Sequence, residues 1–136
     1  MKRRISNEAL YKMACEAREK SYCPYSKISV GAALITKSGR VYTGANIENA
    51  AYSPSVCAER AAFFAAVNDG EREFSAIAVA GGKAGEPPKS IFPPCGVCRQ
   101  VMAEFCGGDF NILLSEEKEV SFSELLPYGF DKESIK

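Results

Sequence analysis

Apolar residues first recur at helical spacing. Leu10, Met13, Ala14 and Ala17 fall at i, i+3, i+4 and i+7, which predicts a helix from Asn7 to about Lys20, capped by Ser6 or Asn7 and closed before Pro24. The period then changes. Ile28 to Thr36 is rich in β-branched and small residues and reads as a strand. Lys37-Ser38-Gly39-Arg40 reads as a turn, and Val41 to Glu48 as the returning strand of a hairpin. Gly31 and Gly44 interrupt these strands, as expected where another backbone or a ligand comes close. Ala61, Ala62, Phe63, Ala65, Ala66 and Val67 give a second helix, opening at Cys57 and ending at Asp69-Gly70. Phe74 to Gly81 reads as a strand, and Gly81 to Pro94 as a long loop able to wall a pocket. A third helix is expected from Cys95 to about Cys106, with Val97, Val101, Met102 and Phe105 as its apolar face. Phe110 to Leu114 and Val120 to Phe122 read as strands, and Ser123 to Leu126 as a brief helix. The order α-β-β-α-β-α-β-β-α predicts an α/β fold: a three-layer α/β/α sandwich around a central mixed five-stranded sheet. The hairpin should be antiparallel and the later β-α-β step a parallel crossover.

Length and charge narrow the function classes. A chain of 136 residues supports a single core, so residues 1–136 are expected to form one domain. Lysine plus arginine equals aspartate plus glutamate at 17 each, which leaves no net field to gather a polynucleotide; no nucleic-acid partner is expected. The sequence has no apolar run of bilayer-spanning length, so no membrane partner is expected either. Met1-Lys2-Arg3-Arg4 leads into an amphipathic segment rather than the apolar stretch of a secretory signal. Six cysteines without an export signal imply reduced thiols and a cytoplasmic protein.

The candidate chemistry lies in Cys57-Ala58-Glu59-Arg60 and Pro94-Cys95-Gly96-Val97-Cys98, in a chain without histidine. Zinc accepts thiolate ligands in tetrahedral geometry, and catalytic sites use three protein ligands with the fourth position left to water. Cys95 and Cys98, at i and i+3, share a helix face. Cys57 opens the other helix, where partial positive charge favours thiolates. Pro93-Pro94, just before Cys95, suits the start of the third helix. Near a helix tip the Cα–Cβ bonds tilt back toward the start, so Cys57 and Glu59 can converge beyond it. A carboxylate beside a zinc-activated water is equipment for moving protons. Three thiolates leave the centre net negative, and Arg60 can offset this by donating to sulfur. Other readings stay open on these residues alone. C-x-x-C also serves redox pairs, Cys15, Cys23 or Cys106 could close a structural four-cysteine site, and Glu59 and Arg60 could be solvated charges on an alanine-rich helix.

Cys57-x-Glu59 with Pro94-Cys95-x-x-Cys98 is the all-cysteine form of the pattern found in zinc nucleobase deaminases. The likeness extends to Pro24-Tyr25-Ser26-Lys27, Val30-Gly31-Ala32-Ala33-Leu34, the stretch from Gly44 to Tyr52, Cys98-Arg99-Gln100 and Leu125-Leu126-Pro127. From about Tyr11 to Phe130 the chain resembles cytidine deaminases of the small, homotetrameric, zinc-dependent type. The resemblance implies the same α/β/α fold, one zinc ion per subunit on Cys57, Cys95 and Cys98, and hydrolytic deamination of cytidine and deoxycytidine to the uridine products and ammonia, a pyrimidine-salvage reaction. It implies that Glu59 carries the protons, that Asn46 and Glu48 hold the 3′-hydroxyl of the sugar, and that the backbone of Ala58 reads the base edge. It further implies that Ala50, Tyr52 and Phe130 reach a neighbouring subunit's pocket. Asn46 and Glu48, two apart on the expected strand, would point to one face, and their side chains suit a hydroxyl. The family often has phenylalanine, stacked on the pyrimidine, where this chain has Ile28. An aliphatic contact there is expected to weaken nucleoside binding or alter the substrate range, because an aromatic pair adds about 0.5–1.5 kcal/mol beyond area burial. The rival functions are a deaminase of another small aminopyrimidine or an antibiotic nucleoside, a non-enzymatic zinc-binding module, and a polynucleotide editor. The balanced charge disfavours the last, and a sulfur closing the fourth metal position would mark the second.

Overall fold

The structure is a computed structural model, and it describes residues 5–136. The basic start Met1-Lys2-Arg3-Arg4 lies outside the described residues. Helix α1 spans Asn7–Ala17 and runs into a 3-10 turn at Arg18–Lys20. Ser6 caps it, its Oγ accepting a hydrogen bond from the Ala9 amide at 3.1 Å. Strands β1 (Ile28–Thr36) and β2 (Val41–Ala45) form the antiparallel hairpin. Helix α2 (Ala58–Asn68) leads to β3 (Phe74–Lys83), which pairs antiparallel with β1. Helix α3 (Gly96–Phe105) then crosses over to β4 (Asn111–Leu113), parallel to β3; β5 (Glu119–Ser121) closes the edge antiparallel, followed by the short helix α4 (Phe122–Leu125). The sheet order is β2-β1-β3-β4-β5, a mixed five-stranded sheet as the element order implied.

Strand β1 is buried along almost its whole length because both faces are covered. Val30, Ala32 and Leu34 join Ile77 and Val79 of β3 under α2 and Met102 of α3. Ala33 and Ile35, with the alanine row Ala76, Ala78 and Ala80 of β3, pack against Leu10, Tyr11 and Ala14 of α1. The small side chains let the helices approach closely. At Gly31 an added Cβ would lie 2.0 Å from the Ala14 carbonyl oxygen, and at Gly44 it would lie 2.5 Å from that of Ala58. The two strand glycines therefore seat α1 and α2 by backbone contact. Four phenylalanines, Phe63, Phe74, Phe105 and Phe110, lock α2, β3 and α3 together, with Phe63 at their centre and fully buried.

The end of β2 and the inward face of α3 differ from the sequence reading. Strand β2 ends at Ala45 rather than Glu48. Asn46 stops it by turning its side chain into the ladder of β1, where Oδ1 accepts from the Val30 amide at 2.8 Å and Nδ2 donates to the Ile28 carbonyl at 2.9 Å. Helix α3 begins within a residue of its expected start, with Cys95 as its N-cap and Pro93 and Pro94 preceding it. Of the expected apolar face of α3, Met102 is buried and Val101 and Phe105 pack against the core, but Val97 is 56% exposed and Cys98 turns inward. Among the described residues, no helix is long and apolar enough to cross a membrane.

Candidate active site and metal centre

The N-termini of α2 and α3 meet at one place, and the N-cap of each is a cysteine, Cys57 and Cys95. Neither makes a side-chain capping bond, because both sulfurs face a common point. The Cys57 and Cys95 Sγ atoms are 3.5 Å apart, as are those of Cys95 and Cys98, and all three lie within 4.8 Å of one another. Ligands on a tetrahedral zinc at about 2.3 Å would be separated by about 3.8 Å, so the spacing fits a sulfur-bound zinc ion with a small outward adjustment. Cys15, Cys23 and Cys106 lie outside this cluster, and all six cysteines are free of disulfides. The four-cysteine structural alternative therefore has no support among the described residues.

Charge at the sulfurs follows from their crowding. The Cys57 thiol is lowered to about 5, first by a hydrogen bond from Cys98, against burial, and then by donors including Arg60. Cys98 shifts the other way, held protonated by its bond to Cys57 and by burial. One thiolate makes the next costly, and a divalent cation removes that cost by binding all three in deprotonated form. Arg60 leans on the cluster, its Nη2 3.4 Å from Cys57 Sγ and 3.4 Å from the Ser55 carbonyl, while its buried Nε has no hydrogen-bond partner.

Glu59, at the second position of α2, is 3% exposed. Burial raises its carboxyl to about 7, partly offset by its own backbone amide and reinforced by the neighbouring Cys57 charge. It is flanked by Cys57 and Cys95 in the lining of a pocket of about 370 Å³. That size suits a small-molecule ligand. Ala58, Asn46, Glu48 and Ile28 line the same pocket, as do Val30, Phe92 and Pro93. Glu48 is no longer a strand residue, yet it is tightly held: Oε1 accepts from the amides of Tyr25 at 3.0 Å and Ser26 at 3.1 Å, and Ser26 Oγ donates to Oε2. These bonds, the Ser26 hydroxyl first, hold its carboxyl below the usual range. The Asn46 amide keeps one donor and one acceptor position beyond its two bonds to β1.

Three expected site residues stand apart from this pocket. Ala50 is exposed, Tyr52 is 74% exposed in a recess with Tyr25, Ser26, Glu48 and Ser55, the last three of which also line the main pocket, and Phe130 is 61% exposed on the C-terminal segment. Ser26 and Phe92 were missed by the sequence reading. Phe92 packs on Gly81, where an added Cβ would meet its ring at 2.5 Å; a glycine inside a strand was the available signal.

A family model described as the cytidine and deoxycytidylate deaminase zinc-binding region matches residues 4–114. The chain belongs to the cytidine deaminase family. It is 49% identical over 132 residues to a cytidine deaminase of Sporosarcina psychrophila, covering 94% of this chain and 93% of the relative. It is 46% identical over 135 residues to one of Halalkalibacterium halodurans, covering 96% and 98%. Among solved structures, the cytidine deaminase of Burkholderia pseudomallei superposes with a TM-score of 0.83 at 42% identity, covering 93% of this chain and all of that one. The cytidine deaminase fold, activity class and zinc-binding region thus rest on matches across nearly the whole chain, with Cys57, Cys95 and Cys98 as the sulfur triad.

Proposed function

We propose that this single-domain chain hydrolyses cytidine and deoxycytidine at C4, consuming water and releasing ammonia, with Glu59 as the proton carrier. The observation that carries the reading is the buried Glu59 carboxyl beside the sulfur triad, in a pocket of nucleoside-compatible size. Zinc held by Cys57, Cys95 and Cys98 supplies the Lewis acid that makes water nucleophilic near neutral pH. Glu59 accepts a proton from the attacking water and delivers it to N3 of the ring. Glu59 then takes the second proton of the former water from the new C4 hydroxyl and passes it to the departing amine as the C4–N bond breaks, leaving the C4 carbonyl and ammonia. A carboxyl raised to about 7 is close to the working pH, where a group that both takes and gives protons is most effective. Arg60 draws negative charge from the Cys57 sulfur and so preserves the acidity of the metal.

Substrate binding is assigned by position. Asn46 and Glu48 hold the sugar 3′-hydroxyl, the Ala58 backbone reads the base edge, and Ile28 packs against the pyrimidine; all four line the pocket. Ala50, Tyr52 and Phe130 serve a neighbouring pocket in a homotetramer, which accounts for their exposure outside the pocket of their own chain. Six thiols free of disulfides fit a reducing compartment, and we place the protein in the cytoplasm. Ammonia release across cytidine, deoxycytidine, cytosine and the nucleoside monophosphates tests the substrate class. Turnover of the two nucleosides is expected; turnover confined to the free base or the phosphates would reject the sugar assignments. Light scattering should give about four chains per particle, and an active monomer would contradict the shared pockets.

A further inference from the structure

Of the three sulfur ligands, Cys95 is the least supported by packing: Cys98 is buried and Cys57 half-buried, but Cys95 is exposed. Its position depends on the backbone that precedes it. That backbone is Pro93-Pro94, which has no N–H to anchor it, so only carbonyls remain for hydrogen bonding. The Pro94 carbonyl accepts a hydrogen bond from Arg99 Nε at 2.8 Å. The same guanidinium reaches away from the metal, its Nη1 donating to the Leu125 carbonyl at 2.7 Å. Leu125 is the last residue of α4, where carbonyls have run out of helical donors. One residue further on, Gln100 Nε2 donates to the Phe130 carbonyl at 2.7 Å. The first turns of α3 are therefore strapped to the C-terminal segment, and the Arg99 strap ends one residue from a metal ligand.

We propose that Arg99 is a positioning residue for the metal centre: by bridging the Pro94 and Leu125 carbonyls it fixes the Cys95 sulfur, and so makes zinc retention depend on the C-terminal segment. Charge-assisted bonds from a planar, forked donor restrain both carbonyls in direction as well as distance. A lysine keeps the charge but has a single nitrogen in place of the fork, so it can restore one contact and not the planar bridge. The inference rests on the triad holding zinc, as proposed above.

The test starts from the zinc-loaded full chain and follows transfer of zinc to an excess of a chromogenic chelator. Arg99→Ala should release zinc on the order of 10–100-fold faster than the unaltered protein, the range typical for loss of an outer partner of a metal ligand. Arg99→Lys should fall between the two. Cobalt(II) replacement gives a second reading, because thiolate-to-cobalt charge-transfer absorbance reports the number of bound sulfurs; Arg99→Ala should lose intensity per cobalt, and Arg99→Lys should regain part of it. Thermal unfolding of the metal-free proteins separates a purely structural role. A drop in melting temperature with unchanged zinc release and an unchanged cobalt spectrum would overturn the proposal. If Arg99→Ala fails to fold, Arg99→Lys decides, and release at the unaltered rate overturns it. An unaltered protein that holds no zinc on the triad would instead reject the underlying metal assignment.

Discussion

A carboxyl at 3% exposure is an expensive feature, because burial penalises its charged form. In the proposed reaction that cost is what brings Glu59 near neutrality. Glu59→Gln preserves shape and removes the proton carrier, so it should bind zinc and fold normally while turnover falls roughly 10²–10⁴-fold or more; near-normal turnover in zinc-loaded protein would refute the role. At Ile28 the pocket has an aliphatic wall where the family often has an aromatic one. Ile28→Phe should lower the Michaelis constant for cytidine, by an amount corresponding to about 0.5–1.5 kcal/mol of binding, and an unchanged or higher constant would count against stacking at this position. Glu48 provides a pH signature. Hydrogen bonds from Ser26 and Tyr25 lower its carboxyl in the folded protein, so it binds its proton less readily there than in the unfolded chain. Its stabilising contribution is fully present above the ordinary carboxylate range of about 4.3 and is lost as pH falls through the lowered folded value. The stability advantage over Glu48→Gln, followed by thermal melts, should therefore shrink on acidification; a difference constant with pH would contradict the clamp.

The elements bring these residues together through two helix N-termini and two strand glycines. Gly44 of β2 has the Ala58 carbonyl within 2.5 Å of where its Cβ would be, and Ala58 separates Cys57 from Glu59. Gly44→Ala must push the start of α2 outward. It should cost roughly 1–3 kcal/mol of stability through overpacking, and it should impair zinc binding more than a remote substitution of equal cost. Denaturant unfolding with metal analysis checks this, and unchanged stability would mean that α2 adapts. Sequence patterning located the cores of these elements well. The bounds of β1 match residue for residue, because a doubly covered strand between two turn signals has no competing period. The end of β2 was not legible, since Asn46 stops the ladder with a side chain that bonds across to β1, a tertiary event. The start of α3 was legible to within a residue, since Cys95, expected to open the helix, is its N-cap; the exposure of Val97 was not, because Cys98 takes the inward position toward the sulfur cluster.

For the molecule as a whole, the cysteine spacing made the metal centre readable, because three sulfurs and few alternatives leave little freedom once both cysteines begin helices. The pocket wall was less readable. Phe92 and Pro93 arrive from the long loop that the sequence marked as able to wall a pocket, but nothing in the sequence singled them out within it. Ala50, Tyr52 and Phe130 do not line the pocket of their own chain. The described fold therefore holds the sulfur triad, the proposed proton carrier and most of the proposed nucleoside contacts within one chain, and leaves the proposed remainder to assembly. The most direct test is the ultraviolet absorbance of cytidine mixed with protein carrying one zinc ion per chain, before metal removal, after it, and after zinc is restored. Conversion to the uridine spectrum that stops on removal and returns with zinc is the expected result. No conversion by the zinc-loaded protein, or conversion that survives complete removal of the metal, would contradict it.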